Sequence, residues 1–325
     1  MAISPLVPGI SATILINGFS ATEYPDPDDI QVEHINRRVA EYQTRHTVST
    51  YIESISDSPF TLKFAVGPPF GSKDMDDSKI GFEINIDGNE AGQKWCPRPF
   101  FKNNPHKTEW SEELVGVKEK VVNSKRKFTE RGFRFAGLDT NSDAASSAKV
   151  KRLAERLRNV GIIEIKVFSM MYGKKGAAIN SSSAGFLKGK ERENVPEKAI
   201  KGEAKSDCTA LGAAKKVFKG ATWDAEKKAG PDYPLIIFRF MYRSREALQQ
   251  LLIIPRTPSS SPSSSRSSSP ELDPDHVPGP DGKTPAQLRL EAEQLRLAAE
   301  MEALQRQMAD AAEALRRARR ENLQS

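Results

Sequence analysis

Apolar and polar positions alternate with a period of two along much of the first 255 residues, as strands with one buried face require. The clearest run is Lys79–Gly88. Ile80, Phe82, Ile84 and Ile86 point one way, Glu83 and Asn85 the other, and Asp87-Gly88 supplies a turn. Phe60, Leu62, Phe64 and Val66 repeat the pattern before Gly67-Pro68-Pro69 breaks it. Shorter strands are predicted at Ala12–Ile16, Val48–Ile55 and Phe133–Phe135. Gly161–Tyr172 and Tyr233–Tyr242 are more continuously apolar, which suits central strands covered on both faces.

Helical periodicity is rarer in this region. Ser142–Asn159 sets Val150, Leu153, Ala154 and Leu157 on one stripe, with Gly161 as a stop. A short helix is predicted after Arg243, with Ala247, Leu248, Leu251 and Leu252 on one face and Pro255 ending it. Many strands, frequent turn signals and few helices predict a mainly β, antiparallel sandwich over 10–256. Residues 1–9 read as a flexible N-terminus, and 173–202, rich in Lys, Ser and Gly, as a mobile basic loop.

The pattern changes after Pro255. Residues 257–283 form a Ser/Pro-rich linker that cannot build a core. Beyond it, Thr284-Pro285-Ala286-Gln287 fits a capping box, opening an amphipathic helix over 284–322. Its seam is Leu290, Gln294, Leu297, Met301, Leu304, Met308, Ala311, Leu315 and Ala318, in alternating steps of four and three. Glu302–Arg306 and Glu313–Arg317 add support at i,i+4. Such a seam seeks a protein partner or a second copy of the chain. The bland alternative is an isolated Ala-rich helix, since Ala311 and Ala318 fill a seam poorly.

Charge then divides the chain. Residues 1–254 carry an excess of +7, the linker −1 and the tail 0, against +6 for the whole. This surplus is modest and supports weak attraction to polyanions. Lys125, Arg126 and Lys127, preceded by Lys118 and Lys120, suit nuclear import or phosphate contact, although such runs usually edge a solvated strand. Lys215, Lys216 and Lys219 could join them, yet no interleaved aromatics offer bases a stacking platform, which disfavours single-stranded nucleic acid.

Two cysteines, Cys96 and Cys208, are too few for a disulfide framework and read as reduced thiols, one long-range disulfide being the alternative. The start, Met1-Ala-Ile-Ser-Pro5, lacks the basic and apolar regions of a signal peptide, and no run suits a membrane span. These features predict an intracellular protein, cytoplasmic or nuclear, with no membrane partner.

Five stretches resemble an uncharacterised fungal family of a domain of unknown function: Tyr51–Ser54, Phe60–Val66, Phe82–Gly88, Gly161–Val167 and Phe238–Arg256. The most specific is the run Tyr242-Arg-Ser-Arg-Glu-Ala-Leu-Gln249, closing on Ile253-Ile-Pro-Arg256. The resemblance implies a β-rich fold and a variable tail. It implies no activity or ligand, so no residue role is carried over.

Candidate chemistry is sparse. His34, His46, His106 and His276 stand at no ligand spacing to either cysteine. Asp26–Asp29 and Asp74–Asp77 look like fragments of a calcium loop without its glycine and distal glutamate, and read as turns. No catalytic motif, metal site, cofactor site or small-molecule site emerges. Thr257-Pro, Ser261-Pro and Ser269-Pro offer phosphorylation sites to a proline-directed kinase. The leading expectation is a non-enzymatic interaction scaffold with a tethered associating helix. A nucleus-directed polyanion-binding protein is the alternative, and an enzyme or carbohydrate-binding sandwich the next.

Overall fold

The computed structural model describes residues 2–256, apart from 31, 72, 76–78, 105, 122–126, 142–146, 173–184, 188–194, 197–203 and 219–224. The linker and the heptad seam, with Thr257, Ser261 and Ser269, lie outside the described residues.

The chain opens with β1 (Ala2–Ile3), β2 (Ile10–Ile16), β3 (Phe19–Ser20), β4 (Glu23–Pro25), α1 (Arg37–Arg45), β5 (Thr47–Glu53) and β6 (Pro59–Val66). The hairpin β7 (Lys79–Ile86) and β8 (Asn89–Pro97) follows, then α2 (Pro99–Asn103), β9 (Trp110–Leu114), β10 (Gly116–Lys120) and β11 (Lys127–Gly137). Next are β12 (Thr140–Asn141), α3 (Ser147–Leu157), β13 (Ile162–Tyr172), β14 (Val195–Pro196) and β15 (Asp207–Phe218). The last elements are β16 (Ala225–Lys227), β17 (Ile236–Arg243) and α4 (Arg245–Gln250).

Two sheets pack like a sandwich. The first runs β1-β2-β6-β11-β10, with β3 on β2, β9 on β6 and β15 on β11. The second runs β4-β5-β17-β13-β7-β8, with β16 on β13. Alternation fixes what lies between them. Ile10, Ala12, Ile14, Phe60, Leu62, Phe64 and Val66 face Ile80, Phe82, Ile84, Ile163, Ile165, Val167, Phe238 and Phe240 in one continuous core. Rings cross the interface at Phe64–Phe82 and Phe135–Tyr242, each 5.0 Å between centroids. A smaller core of Ala136, Leu157, Val160, Leu187, Val195 and Cys208 lies under α3.

Several expectations need correction. The sandwich is not wholly antiparallel, because β17 pairs β5 in parallel, Ile237 to Thr47 through Arg243 to Glu53. Alternation sets which face a residue occupies but not which way a distant strand runs, and here residues 54–235 separate the pair. β13 and β17 are central in their sheet but not covered on both faces. Glu164 and Lys166 on the outer side are half-buried and paired at 3.2 Å.

The N-terminus is not a loose arm: Ala2 pairs Ala12 and is buried, as is Ser4. Within the stretch read as a basic loop, Phe186, Leu187 and Val195 are buried, Val195 in a short parallel pair with Thr140. The last helix ends at Gln250 rather than at Pro255, and Leu252 points to solvent with φ 58°. Strands β8, β9, β10 and β15 and helix α1 carry weaker patterns and were not expected. Among the described residues, no helix is long and apolar enough to cross a membrane.

Candidate functional site

The predicted turn at Asp87-Gly88 joins β7 to β8 as a two-residue hairpin, Ile86 opposite Asn89. Both turn residues take positive φ, 54° and 76°, the geometry whose twist matches its flanking strands. A carboxylate at such a tip normally meets water. Here it is enclosed between the strand ends of the two sheets.

Three donors converge on Asp87. The backbone N–H of Gly161 donates to Oδ1 at 2.9 Å, and that of Thr209, at the start of β15, to Oδ2 at 2.7 Å. Tyr242, near the end of β17, donates its phenol to Oδ1 at 2.5 Å. The Tyr242 and Thr209 hydroxyls are themselves 3.0 Å apart. Burial pushes the Asp87 carboxyl up from its ordinary range, and the bonds from Tyr242, Thr209 and Gly161 oppose that shift. Tyr242 is held well above its usual phenol range, first by burial and then by the charge of Asp87. It therefore stays a phenol and a donor.

Gly161 makes this geometry possible. Its φ is +81°, and a Cβ there would collide with the guanidinium of Arg243. Arg243 is buried and donates through Nη1 to the carbonyls of Gly161 and Tyr242, both at 2.8 Å. A second buried carboxylate lies two residues before Thr209. Asp207 Oδ2 accepts from the hydroxyls of Ser54 and Ser206, each at 2.7 Å. Ser206 in turn accepts the N–H of Ser244 at 2.8 Å, and Ser244 caps α4 by accepting from Ala247 N–H.

The run Tyr242–Leu248 thus has a role at each described contact. Tyr242 holds Asp87, Arg243 holds Gly161, and Ser244 caps the helix. Arg245 pairs with Glu53 at 3.2 Å, while Ala247 and Leu248 are buried. Leu248 packs with Tyr51 and Ile254. Glu246 sits in the first helical turn, where backbone N–H bonding and the Ser244 hydroxyl hold its carboxyl below the usual range.

A family model described as a domain of unknown function, DUF7918, matches residues 9–257. The chain belongs to that family. The matched region starts one residue before β2 and ends just after the Ile253–Ile254 segment that closes over Leu248. No curated protein and no solved structure matches the chain.

Beside the node, Asp87, Asn89, Glu155, Arg156 and Asn159 line a polar cavity of about 290 Å³ between the β7–β8 turn and the end of α3. A buried carboxylate there can store a proton.

The remaining candidates scatter. His46 stacks on Tyr42 with ring centroids 3.8 Å apart, and His34 lies 3.9 Å from Asp232. Asp26 accepts the N–H of Asp28 at 3.2 Å in a local turn and the Ser49 hydroxyl of β5 at 2.6 Å, and Asp74 accepts the N–H of Gly71 at 2.8 Å. Cys96 and Cys208 are both buried, and neither is in a disulfide. Among the described residues, no group of three or more His, Cys, Asp or Glu could hold a metal ion. Lys125 and Arg126 lie outside the described residues, as does His276. Lys127 begins β11 opposite Phe218.

Sequence reading found Asp87 only as a turn residue and did not find Asp207, Thr209 or Lys205. The available signal was the YRSREAL run, whose polar residues stand directly after a core strand. Lys205 is buried and donates to the carbonyls of Leu157 and Arg158 at 2.8 and 2.7 Å, closing the C-terminal end of α3.

Proposed function

We propose that the protein is a non-enzymatic interaction scaffold, in which the DUF7918 body is a rigid β platform and residues 284–322 form its associating helix. The observation that carries this reading is the closure of the polar node. The buried carboxylates Asp87 and Asp207 are engaged by Gly161, Thr209, Tyr242, Ser54 and Ser206, all groups of the fold itself. Groups so engaged hold strands together and are poorly placed to turn over a substrate.

Association then falls to the heptad seam from Leu290 to Ala318. A Ser/Pro arm between platform and helix lets two weak contacts act at high effective concentration. The fungal source implied by the resemblance, an intracellular setting and the phosphorylated arm belong to the same reading.

Light scattering of the full chain and of a 1–256 truncation tests it. The expected result is a concentration-dependent mass above the monomer for the full chain, and a monomer for the truncation. If the full chain stays monomeric, pull-down with the tail alone should still recover a helical partner. A monomer whose tail captures nothing and shows no helix by circular dichroism overturns the reading.

A further inference from the structure

Strands β10, β11 and β15 run side by side and gather lysines that are far apart in sequence. Lys118 and Lys215 both oppose Glu130, Lys120 opposes Phe128, and Lys216 opposes Thr129. Directly opposed residues share a face. Lys118, Lys120 and Lys215 therefore lie on one face around the single acid Glu130, and Lys216 and Arg131 lie on the other with Glu119. Between Gly116 and Lys120, Phe128 and Gly132, and Ala214 and Val217 there are five basic and two acidic residues, a net charge of +3. The two acids are already engaged, Glu130 by Lys118 at 3.6 Å and Glu119 by Arg131 at 3.8 Å. Lys118, Lys120, Lys215 and Lys216 are exposed.

We propose that this three-stranded ribbon binds the phosphate backbone of double-stranded nucleic acid. The charge fits a polyanion, and three observations narrow its class. Among the described side chains, no exposed large apolar one lies in β10, β11 or β15. A protein partner usually needs such an anchor at the centre of its contact. The only described aromatic side chains there, Phe128, Phe133 and Phe135, are buried, so none can stack an unpaired base. Lys118 and Lys120, two residues apart on one strand, repeat at roughly 6.7 Å, and Lys215 adds a third cation on the same face across β11. Such a row follows a regular line of charge. Contacts of this kind carry no sequence information and depend steeply on salt.

The test is fluorescence anisotropy of the full chain with a labelled 20-base-pair DNA duplex across a series of potassium chloride concentrations. Wild type should lose about sixfold in affinity when salt doubles from 50 to 100 mM, as about three phosphate contacts require. Replacing Lys118, Lys120 and Lys215 together with Gln should abolish most of the binding. The pair Lys120→Gln and Lys215→Gln alone should make the log–log salt slope shallower by roughly one unit per lysine. Removing three exposed charges elsewhere, at Arg38, Arg45 and Lys73, should leave the affinity within about twofold. A thermal melt of each variant shows whether the fold is kept, and the double variant stands if the triple one fails to fold. Equal loss in the control variant overturns the proposal. So does tighter binding of single-stranded DNA, of polyglutamate or of vesicles containing phosphatidylserine.

Discussion

Tyr242 reaches from the last core strand to Asp87 in the β7–β8 turn and donates a 2.5 Å hydrogen bond, its own side chain fully buried. This contact joins two segments 155 residues apart in sequence. Because Thr209 of β15 donates to the same carboxylate, it also ties the second sheet to the first.

Asp87 takes only donors, two of them backbone N–H groups that cannot rotate. In Asp87→Asn the amide Nδ2 must face one of those donors, which leaves it without an acceptor. The expected cost is about 2–3 kcal/mol. Asp207 differs, since its partners Ser54 and Ser206 are hydroxyls that can turn and accept. Asp207→Asn should therefore cost less, by about 1 kcal/mol or more. Urea denaturation of both variants checks this, and equal losses contradict the distinction.

Burial raises the Asp87 pKa, which fixes the sign of its pH dependence. The folded protein binds this proton more tightly than the unfolded chain. The stability from that preference is complete below the ordinary aspartate range and is lost as pH rises through the folded pKa. Tyr242 opposes the shift by donating to the charged form. Tyr242→Phe should cost about 1 kcal/mol while Asp87 is protonated, and about 2–3 kcal/mol once it is charged. Stability of wild type and variant measured from pH 4 to pH 8 should show a widening gap; a constant gap would refute the coupling.

The thiols give a third test. Burial, followed by the nearby charge of Glu112, pushes Cys96 up to about 12, and Cys208 is wholly enclosed as well. Neither should react with Ellman's reagent at pH 8 in the native protein, and both should react once it is unfolded. Since the raised Cys96 pKa favours the protonated thiol in the fold, its contribution is complete below pH 9 and lost as pH rises towards 12. A native thiol that reacts within seconds would contradict this packing.

Sequence periodicity located the strands that build the core, because burial of Ile80–Ile86 or Phe60–Val66 on one face leaves a period-two trace. It missed β15, whose Ala210–Ala214 stretch alternates little, and the Asn17-Gly18 hairpin, although Asn-Gly is a strong turn signal. The node was illegible for another reason. Asp87, Gly161, Thr209 and Tyr242 meet only after both sheets have formed, and periodicity records which face a residue takes rather than which distant residue it meets. The direction of β17 against β5 was hidden in the same way.

The end of α4 supports a last prediction. After the C-cap Leu251, Ile253 N–H donates to the Leu248 carbonyl at 3.0 Å and Leu252 N–H to that of Gln249 at 3.3 Å. This paired closure requires a left-handed residue at Leu252, and its φ is 58°. A leucine pays steric strain of roughly 1 kcal/mol in that conformation. It gains little in return, because its side chain is 71% exposed. Glycine removes the strain but adds freedom to the unfolded chain, which cancels part of the gain. Leu252→Gly should therefore raise stability by about 0.5 kcal/mol, while Leu252→Ala, which keeps the Cβ, should not. Denaturation midpoints of the two variants decide it. A destabilised glycine variant would mean that Leu252 makes a stabilising contact worth more than its backbone strain.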